Sequence, residues 1–446
     1  SILMGQEMTQ IDPGTDGARE LLQRREPLFA LAIGGTGSDR TVTDIVLPSI
    51  PNTKVTGKSS SQGLNVVSEG GSQNNNALQK KLGGRFGDVF TNGEGGEYEV
   101  HHIPADSASP LPRMDGPAIK MEKADIIACI KEKGIVGLGG ACFPTHVKLM
   151  IPEGKKAQHC IINAAECEPY ISIDNRIMIE RGEELIIGAC ILRKALDLND
   201  VYIGVEHNKK EAIANLQHIA TKYNGVHVIT LKTKYPQGAE KQLIKSITGR
   251  EVPAGKLPID VGCVVDNVAT ALAVYEAVQK NKPLISNYMT YSGKSVSAPK
   301  NYRVRLGTPL KDIIEANGGL AEDTEKVISG GPMMGKAITN LNAYTAKGFS
   351  SLLQMNAKEA QRLTPQNCIR CARCVEACPM GLEPYLLSLL SKQNRLEDCE
   401  KEQIMSCIEC GSCQFTCPSF RPLLDYIRLG KNRTGGMIRA RMQQNK

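Results

Sequence analysis

The sequence predicts three folded units in series: a parallel α/β domain, a compact α+β unit, and a helical domain wrapped around two cysteine loops. Three observations lead there. From Lys120 to Lys280, strand-like and helix-like runs alternate. Between residues 284 and 345, short β runs surround one capped helix. From Ser350 onward the pattern turns helical, and eight cysteines fall into two copies of C-x2-C-x2-C-x3-C-P. A chain of 446 residues has room for roughly two to four domains. The boundaries are placed at 1–117, 118–283, 284–349 and 350–446.

Residues 1–117 show weak periodicity. Apolar runs such as LFALAIGG are broken by Ser/Gly/Asn tracts, so short strands joined by loops are expected. SPLPRMDGP reads as a linker. MEKADIIACIKEKG then reads as an amphipathic helix with Gly134 just past its end. AQHCIINAAE, DVYIGVE and GVHVITLKT read as buried strands. RGEELIIGACILRKAL, KKEAIANLQHIATKY, QGAEKQLIKSITG and NVATALAVYEAVQK read as helices between and after them. Such alternation means a parallel sheet covered on both faces. In the next unit, Thr308-Pro309 gives a cap and a first-turn proline, and KVISGGPMMG reads as a closing strand.

Composition narrows the function. Aromatics make up 4% and tryptophan is absent, which speaks against a platform for stacking nucleic-acid bases. The net charge of +7 comes without a dense basic stripe, and a solvated face is the first reading of the loosely basic tail. No stretch approaches the roughly 20 apolar residues that span a bilayer. The start lacks the basic-then-apolar build of a signal peptide. A cytosolic chain is expected, held at any membrane by other subunits.

The cysteine spacing is that of a pair of [4Fe–4S] clusters, in which the fourth cysteine of each run crosses to the other cluster. One cluster is therefore expected on Cys368, Cys371, Cys374 and Cys417, the other on Cys407, Cys410, Cys413 and Cys378. Pro379 and Pro418 follow the crossing cysteines and suit a first helical position. Neither motif contains histidine, which disfavours structural zinc, and the spacing disfavours disulfides.

Three further loops carry chemistry. In GIVGLGGACFPTHVKL, Gly137, Gly139 and Gly140 let the backbone approach a phosphate or flat ring, and Lys148 reaches back toward an anion. The spacing differs from the dinucleotide fingerprint, and a tight turn would suffice for the glycines alone. NAAECEPYISIDNR places Asn163, Glu166 and Glu168 at the end of a strand. GKLPIDVGCVVDNVAT places Asp266, Asn267 and Thr270 at a helix start, where a plain N-cap is the bland alternative.

Together these loops resemble the flavin-binding subunit of respiratory complex I, which has GRGGAGFP-type, NADESEPG-type and NNVET-type loops in the same order. The closer resemblance is to the RnfC family, the electron-input subunit of the Rnf ferredoxin:NAD+ oxidoreductase. It covers about residues 118–430 and includes YPQGAEKQLI, ISGGPMMG and the twin cysteine motifs. The resemblance implies FMN cradled by Gly137, Gly139, Gly140 and Lys148. Asn163, Glu166 and Cys167 would line the flavin ring, with Gly238 and Glu240 near it and Asn267 and Thr270 at its phosphate. Glu168 falls where a carboxylate sits beside the nicotinamide of NAD(H), and Phe143 where an aromatic sits near the dinucleotide. The 284–349 unit would be a β-grasp (SLBB-like) domain, and the last unit a ferredoxin-like domain with two [4Fe–4S] clusters.

Two departures stand out: Cys142 replaces a glycine of the complex I pattern, and Asp266 replaces an asparagine. Residues 1–117 also lack the glycine–histidine–proline-rich opening and lipoyl-like domain of RnfC proteins. The implied role is an electron-transfer subunit working between NAD(H), FMN, the clusters and ferredoxin-linked partners. It would sit among the other subunits of a membrane-bound Rnf-like complex, on the cytoplasmic face. A flavin is needed there because NADH exchanges two electrons and a cubane one. The rivals are a cobalamin reductase of a propanediol-utilising microcompartment, a non-catalytic ferredoxin-like assembly module and a soluble diaphorase.

Overall fold

The computed structural model describes residues 121–444; the expectations for residues 1–117 lie outside the described residues. Helix α1 (Lys123–Glu132) leads into the glycine loop and the short α2 (Thr145–Leu149). Then come β1 (His159–Ala164), α3 (Ile173–Glu180), α4 (Gly182–Ala195), β2 (Val201–Glu206), α5 (Lys210–Ala220) and β3 (Val226–Leu231). Helix α6 (Glu240–Thr248), β4 (Cys263–Asn267) and α7 (Val268–Lys280) complete this layer. The four strands form a parallel sheet in the order β3-β2-β1-β4.

A parallel sheet needs cover on both faces, and successive side chains of a strand point to opposite faces. Strand β1 shows both rules at work. Ile162 joins the core cluster that contains residues of α4 and α7, together with Ile203 of β2. Its neighbour Ile161 joins Leu243 and Ile244 of α6 on the other side. Helices α4 and α7 cross so closely that a Cβ on Gly188 would stand 1.9 Å from the Ala271 carbonyl oxygen. Glycine there lets the two helices lie against one another on the sheet.

The second unit contains β5 (Ser286–Ser292), β6 (Lys300–Arg305), α8 (Leu310–Glu315), β7 (Thr324–Ser329), β8 (Lys336–Ile338) and β9 (Ser351–Asn356). Its strands form a mixed sheet in the order β6-β5-β9-β7-β8. Two expectations need correction. Strand β7 stops at Ser329, so GGPMMG is a loop. The segment after Ser350 opens with β9, the central strand of this sheet, rather than with a helix. SLLQMN is buried along nearly its whole length, and a short apolar run carries no periodicity to separate strand from helix.

The two sheets share one core, which runs from Ile162 to Tyr288 and Leu352. Polar ties reinforce it. Ser172 N–H donates to Thr290 Oγ1 at 3.1 Å, and Lys347 Nζ donates to the Gly134 carbonyl at 2.7 Å.

The helical unit comprises α9 (Ala357–Ala360), α10 (Arg373–Glu376), α11 (Pro384–Lys392), α12 (Leu396–Lys401), α13 (Ser412–Phe415) and α14 (Leu423–Gln444). Leu387, Leu390, Cys399, Ile404, Leu423 and Ile427 form its core. Among the described residues, no helix is long and apolar enough to cross a membrane.

Candidate functional site

The strand order reverses between β1 and β4, and the carboxyl ends of strands at such a switch point are where open α/β sheets bind ligands. Asn163 of β1 is in register with Asn267 of β4 at that end. The glycine loop lies over them. It is closed by Gly137 N–H to Phe143 O at 2.8 Å and Cys142 N–H to Gly137 O at 3.1 Å. Leu138 N–H donates to Thr270 Oγ1 at 2.9 Å, fixing the loop to the first turn of α7.

A Cβ on Gly139 would stand 3.2 Å from Asn267 Cβ. Gly140 has φ +111°, and none of the described residues lies within 4 Å of where its Cβ would be. Its bare backbone therefore faces open space, as a cradle for a flat or phosphorylated ligand requires. Cys142 has φ 51°, which explains why a glycine suits this position. Its sulfur is packed against Gly348, where a Cβ would come within 2.3 Å. Phe143 is 47% exposed at the rim.

Around this loop the expected residues divide into two groups. Asn163 Nδ2 donates to Gly238 O at 2.8 Å, joining β1 to the loop before α6. Gly238 is required there, because a Cβ would lie 2.2 Å from Ala165 O. Lys148 Nζ donates to Val265 O at 2.7 Å and lies 3.5 Å from Asp266 Oδ1. Burial raises Glu240, and Lys148 opposes that rise. Asn267 caps α7 by accepting from Ala269 N–H at 2.8 Å.

Glu166 and Glu168 are each held by backbone amides. Glu166 accepts from Asp174 N–H at 2.8 Å, capping α3, and from Lys209 Nζ at 3.1 Å. Burial raises Asp174 to about 7, with Glu166 adding to the rise, while Asn267 Nδ2 donates to it at 2.8 Å. Glu168 accepts from the backbone of Met333 at 3.1 Å and Met334 at 2.8 Å. Burial raises Glu168 too, opposed by those two N–H groups and Arg428. Burial pushes the Cys167 thiol up to about 11.

Among the described residues, Thr145 Oγ1, Gln237 Oε1 and Asp266 Oδ1 are buried oxygens without hydrogen-bond partners. Thr145 Oγ1 can donate to a phosphate, and the Gln237 oxygen can accept from a ligand hydroxyl or N–H, groups that a phosphorylated flavin carries together. The pocket therefore suits FMN.

The cysteine loops repeat in conformation as well as sequence. Arg370 and Glu409, two residues after the first cysteine of each run, have φ 54° and 58°; Ala372 and Gly411 have φ 60° and 80°. One cavity is lined by Cys378, Cys407, Cys410 and Cys413 together with Leu387, Leu424 and Ile427. Burial first, then Cys407, Cys410 and Cys378, pushes the Cys413 thiol up to about 12. Cys374 is raised by burial, with Cys417 and Cys368 adding to it. Metal must displace those protons for the sulfurs to ligate. Cys368 and Cys371 are exposed. A cavity carrying four thiols suits a cubane. Among the described residues, no three His, Cys, Asp or Glu side chains close around a single ion.

The inner cavity abuts the switch-point loops. Tyr235 Oη donates to Cys410 O at 2.6 Å, and Gln242 Nε2 donates to Pro379 O at 3.0 Å. Arg428 Nη2 donates to Met334 O at 3.0 Å, and its Nε lies 3.2 Å from Glu409. Sequence reasoning does not find Asp174, Lys209, Tyr235 or Gln242. Asp174 lies within NAAECEPYISIDNR, and Tyr235 and Gln242 within YPQGAEKQLI, but their partners lie elsewhere along the chain and the motifs do not show those contacts.

Comparison with known proteins agrees with this architecture. Residues 130–276 match the Nuo51 FMN-binding domain, 289–337 the SLBB domain and 360–418 the 4Fe-4S dicluster domain. The chain is 45% identical over 315 residues to the C subunit of the proton-translocating ferredoxin:NAD(+) oxidoreductase complex of Clostridium ljungdahlii, covering 70% of this chain and 69% of that protein. It is 42% identical over 326 residues to the C subunit of the Na(+)-translocating ferredoxin:NAD(+) oxidoreductase complex of Acetobacterium woodii, covering 73% and 74%. The C subunit of the ion-translocating oxidoreductase complex of Rhodobacter capsulatus is 40% identical over 328 residues, covering 69% and 62%. An NAD+-reducing [NiFe]-hydrogenase structure has a TM-score of 0.52 at 18% identity over 73% of this chain and 65% of its own, which supports the fold alone. The chain belongs to the RnfC family, the C subunits of ion-translocating oxidoreductase complexes.

Proposed function

We propose that this chain moves electrons between NAD(H) and ferredoxin-linked partner subunits by way of FMN at the β1/β4 switch point and two [4Fe–4S] clusters. The FMN, when bound, supplies the exchange between two-electron and one-electron chemistry. The chain's residues supply position. Gly137, Gly139 and Gly140 admit the ring or phosphate, Asn163 and Gly238 shape the pocket wall, and Asn267 and Thr270 fix the start of α7. Glu168 and Phe143 stand on the dinucleotide side.

The inner cluster is assigned to Cys378, Cys407, Cys410 and Cys413, and the outer one to Cys368, Cys371, Cys374 and Cys417. The observation that carries this order is the Tyr235–Cys410 hydrogen bond at 2.6 Å, which joins the pocket wall to the inner cysteine loop. The exposed Cys368 and Cys371 favour the outer cluster as the one facing partner subunits. Peripheral association with the membrane complex, at its cytoplasmic face, completes the reading. The relatives at 40–45% identity do not favour the cobalamin-reductase or assembly-module readings.

The crossed ligand sets are tested by Cys378→Ser and Cys417→Ser, with low-temperature EPR of anaerobically reduced protein. Cys378→Ser should disturb the cluster of Cys407, Cys410 and Cys413, and Cys417→Ser the other. Damage confined to each cysteine's own loop would overturn the assignment.

A further inference from the structure

Asp266 is the penultimate residue of β4 and stands immediately before Asn267, the N-cap of α7. Its side chain is 3% exposed, and among the described residues Oδ1 has no hydrogen-bond partner closer than the Lys148 ammonium. Lys148 Nζ forms a long ion pair with Oδ1 at 3.5 Å and also donates to the Val265 carbonyl at 2.7 Å. Glu240, in the first turn of α6, is a second acid that feels the same ammonium, and part of its surface is open to solvent. Cys160 of β1 is the other titratable neighbour, and its thiol is held up by burial and by Asp266.

One buried acid, Asp266, and one partly exposed acid, Glu240, therefore share the Lys148 ammonium. Burial raises Asp266 to about 6, with Lys148 opposing and Glu240 adding to the rise. The adjoining helix α7 has 13 residues and begins where Gly139 and Gly140 leave the backbone bare. A helix start of this kind attracts phosphate, and the residue just before its cap carries a buried carboxyl whose ion-pair partner among the described residues is Lys148, at the long distance of 3.5 Å.

We propose that Asp266 is a proton-linked selectivity residue of the flavin pocket, taking a proton from solvent onto its carboxyl when a phosphate monoester binds at the start of α7. The bound proton removes one negative charge beside the phosphate and gives the carboxyl a hydrogen to donate. No electron moves in this step, and the proton returns to solvent when the ligand leaves. The proposal rests on the reading of this pocket as the FMN site.

The test uses the full chain with its clusters in place and its flavin removed. FMN and riboflavin are titrated in at about pH 6.5 and about pH 8, followed by flavin fluorescence. A one-proton linkage weakens FMN binding by up to about tenfold for each pH unit above the empty-site value. Ionisation of the phosphate itself, complete above roughly pH 6 to 7, would act in the opposite direction. Wild-type protein should therefore bind FMN about tenfold more weakly at the higher pH, with riboflavin unaffected. Asp266→Asn should hold FMN with equal affinity at both. Equal slopes in wild type and variant would overturn the proposal, as would the same slope for riboflavin. Proton uptake on adding FMN to weakly buffered wild-type protein gives a second readout independent of the variant, and no uptake would also overturn it. Failure of both flavins to bind would instead remove the FMN reading itself, and the proposal with it.

Discussion

Glu276→Gln should loosen the junction between the flavin domain and the second sheet in a pH-dependent way. Glu276 lies in the last turns of α7, the helix whose first turn holds the glycine loop. Its Oε2 is 2.7 Å from Lys282 Nζ, and its Oε1 is 3.7 Å from Arg181 Nη2. Arg181 Nη1 in turn donates to Tyr288 Oη of β5 at 3.2 Å. Burial alone would raise Glu276, but Lys282, Arg303 and Arg181 outweigh it and hold the carboxyl at about 2, against an ordinary 4.5.

At about 1.4 kcal/mol per pKa unit, that depression stabilises the fold by about 3 kcal/mol at neutral pH. A carboxylate with a lowered folded-state pKa gives this stabilisation above its unfolded value and loses it as pH falls toward the folded one. By pH 3, only about 1.4 kcal/mol should remain. The amide keeps the volume and removes the charge, so the variant isolates the electrostatic part. Urea unfolding of cluster-free protein, followed by far-UV circular dichroism at pH 7 and pH 3, measures the difference. The gap between wild type and variant should shrink by at least half. An equal gap at both pH values would refute the electrostatic reading, since the cost would then come from packing.

Glu168→Gln keeps the side-chain shape but weakens the two backbone hydrogen bonds from Met333 and Met334. The proposed place of Glu168 on the dinucleotide side predicts slower NADH-dependent flavin reduction with flavin content still high; unchanged stopped-flow kinetics would remove Glu168 from the site. Gly140→Val forces a β-branched residue into φ +111° and should empty the flavin site, which absorbance of purified protein reports directly. Retained stoichiometric FMN would move that site elsewhere. Gly238→Ala places a Cβ 2.2 Å from the Ala165 carbonyl, and it should lower flavin affinity while leaving the iron content unchanged.

The parallel sheet is legible in the sequence because its strands are buried apolar runs separated by strongly patterned helices. The cysteine loops are legible because cubane ligation demands a fixed local spacing, and the same spacing recurs with the same positive-φ backbone. Strand β9 is not legible, since a short apolar run next to a helical segment lacks a deciding period. The surroundings of Glu166 and Glu168 are also hidden. Lys209 lies 43 residues from Glu166, and the Met333 and Met334 amides lie 165 and 166 residues from Glu168. Tyr235 meets Cys410 across 175 residues. Such partners are set by how the α/β unit folds back on itself and how the three units dock, and a local pattern carries no record of either.

The most direct measurement is the iron, sulfide and flavin content of the full chain purified without oxygen, followed by stepwise addition of NADH. Roughly eight irons are expected with FMN bound, and NADH should bleach the flavin as reduced-cluster EPR signals appear. Protein containing zinc in place of iron and no flavin, or flavin that NADH leaves oxidised, would contradict an electron path through these cofactors.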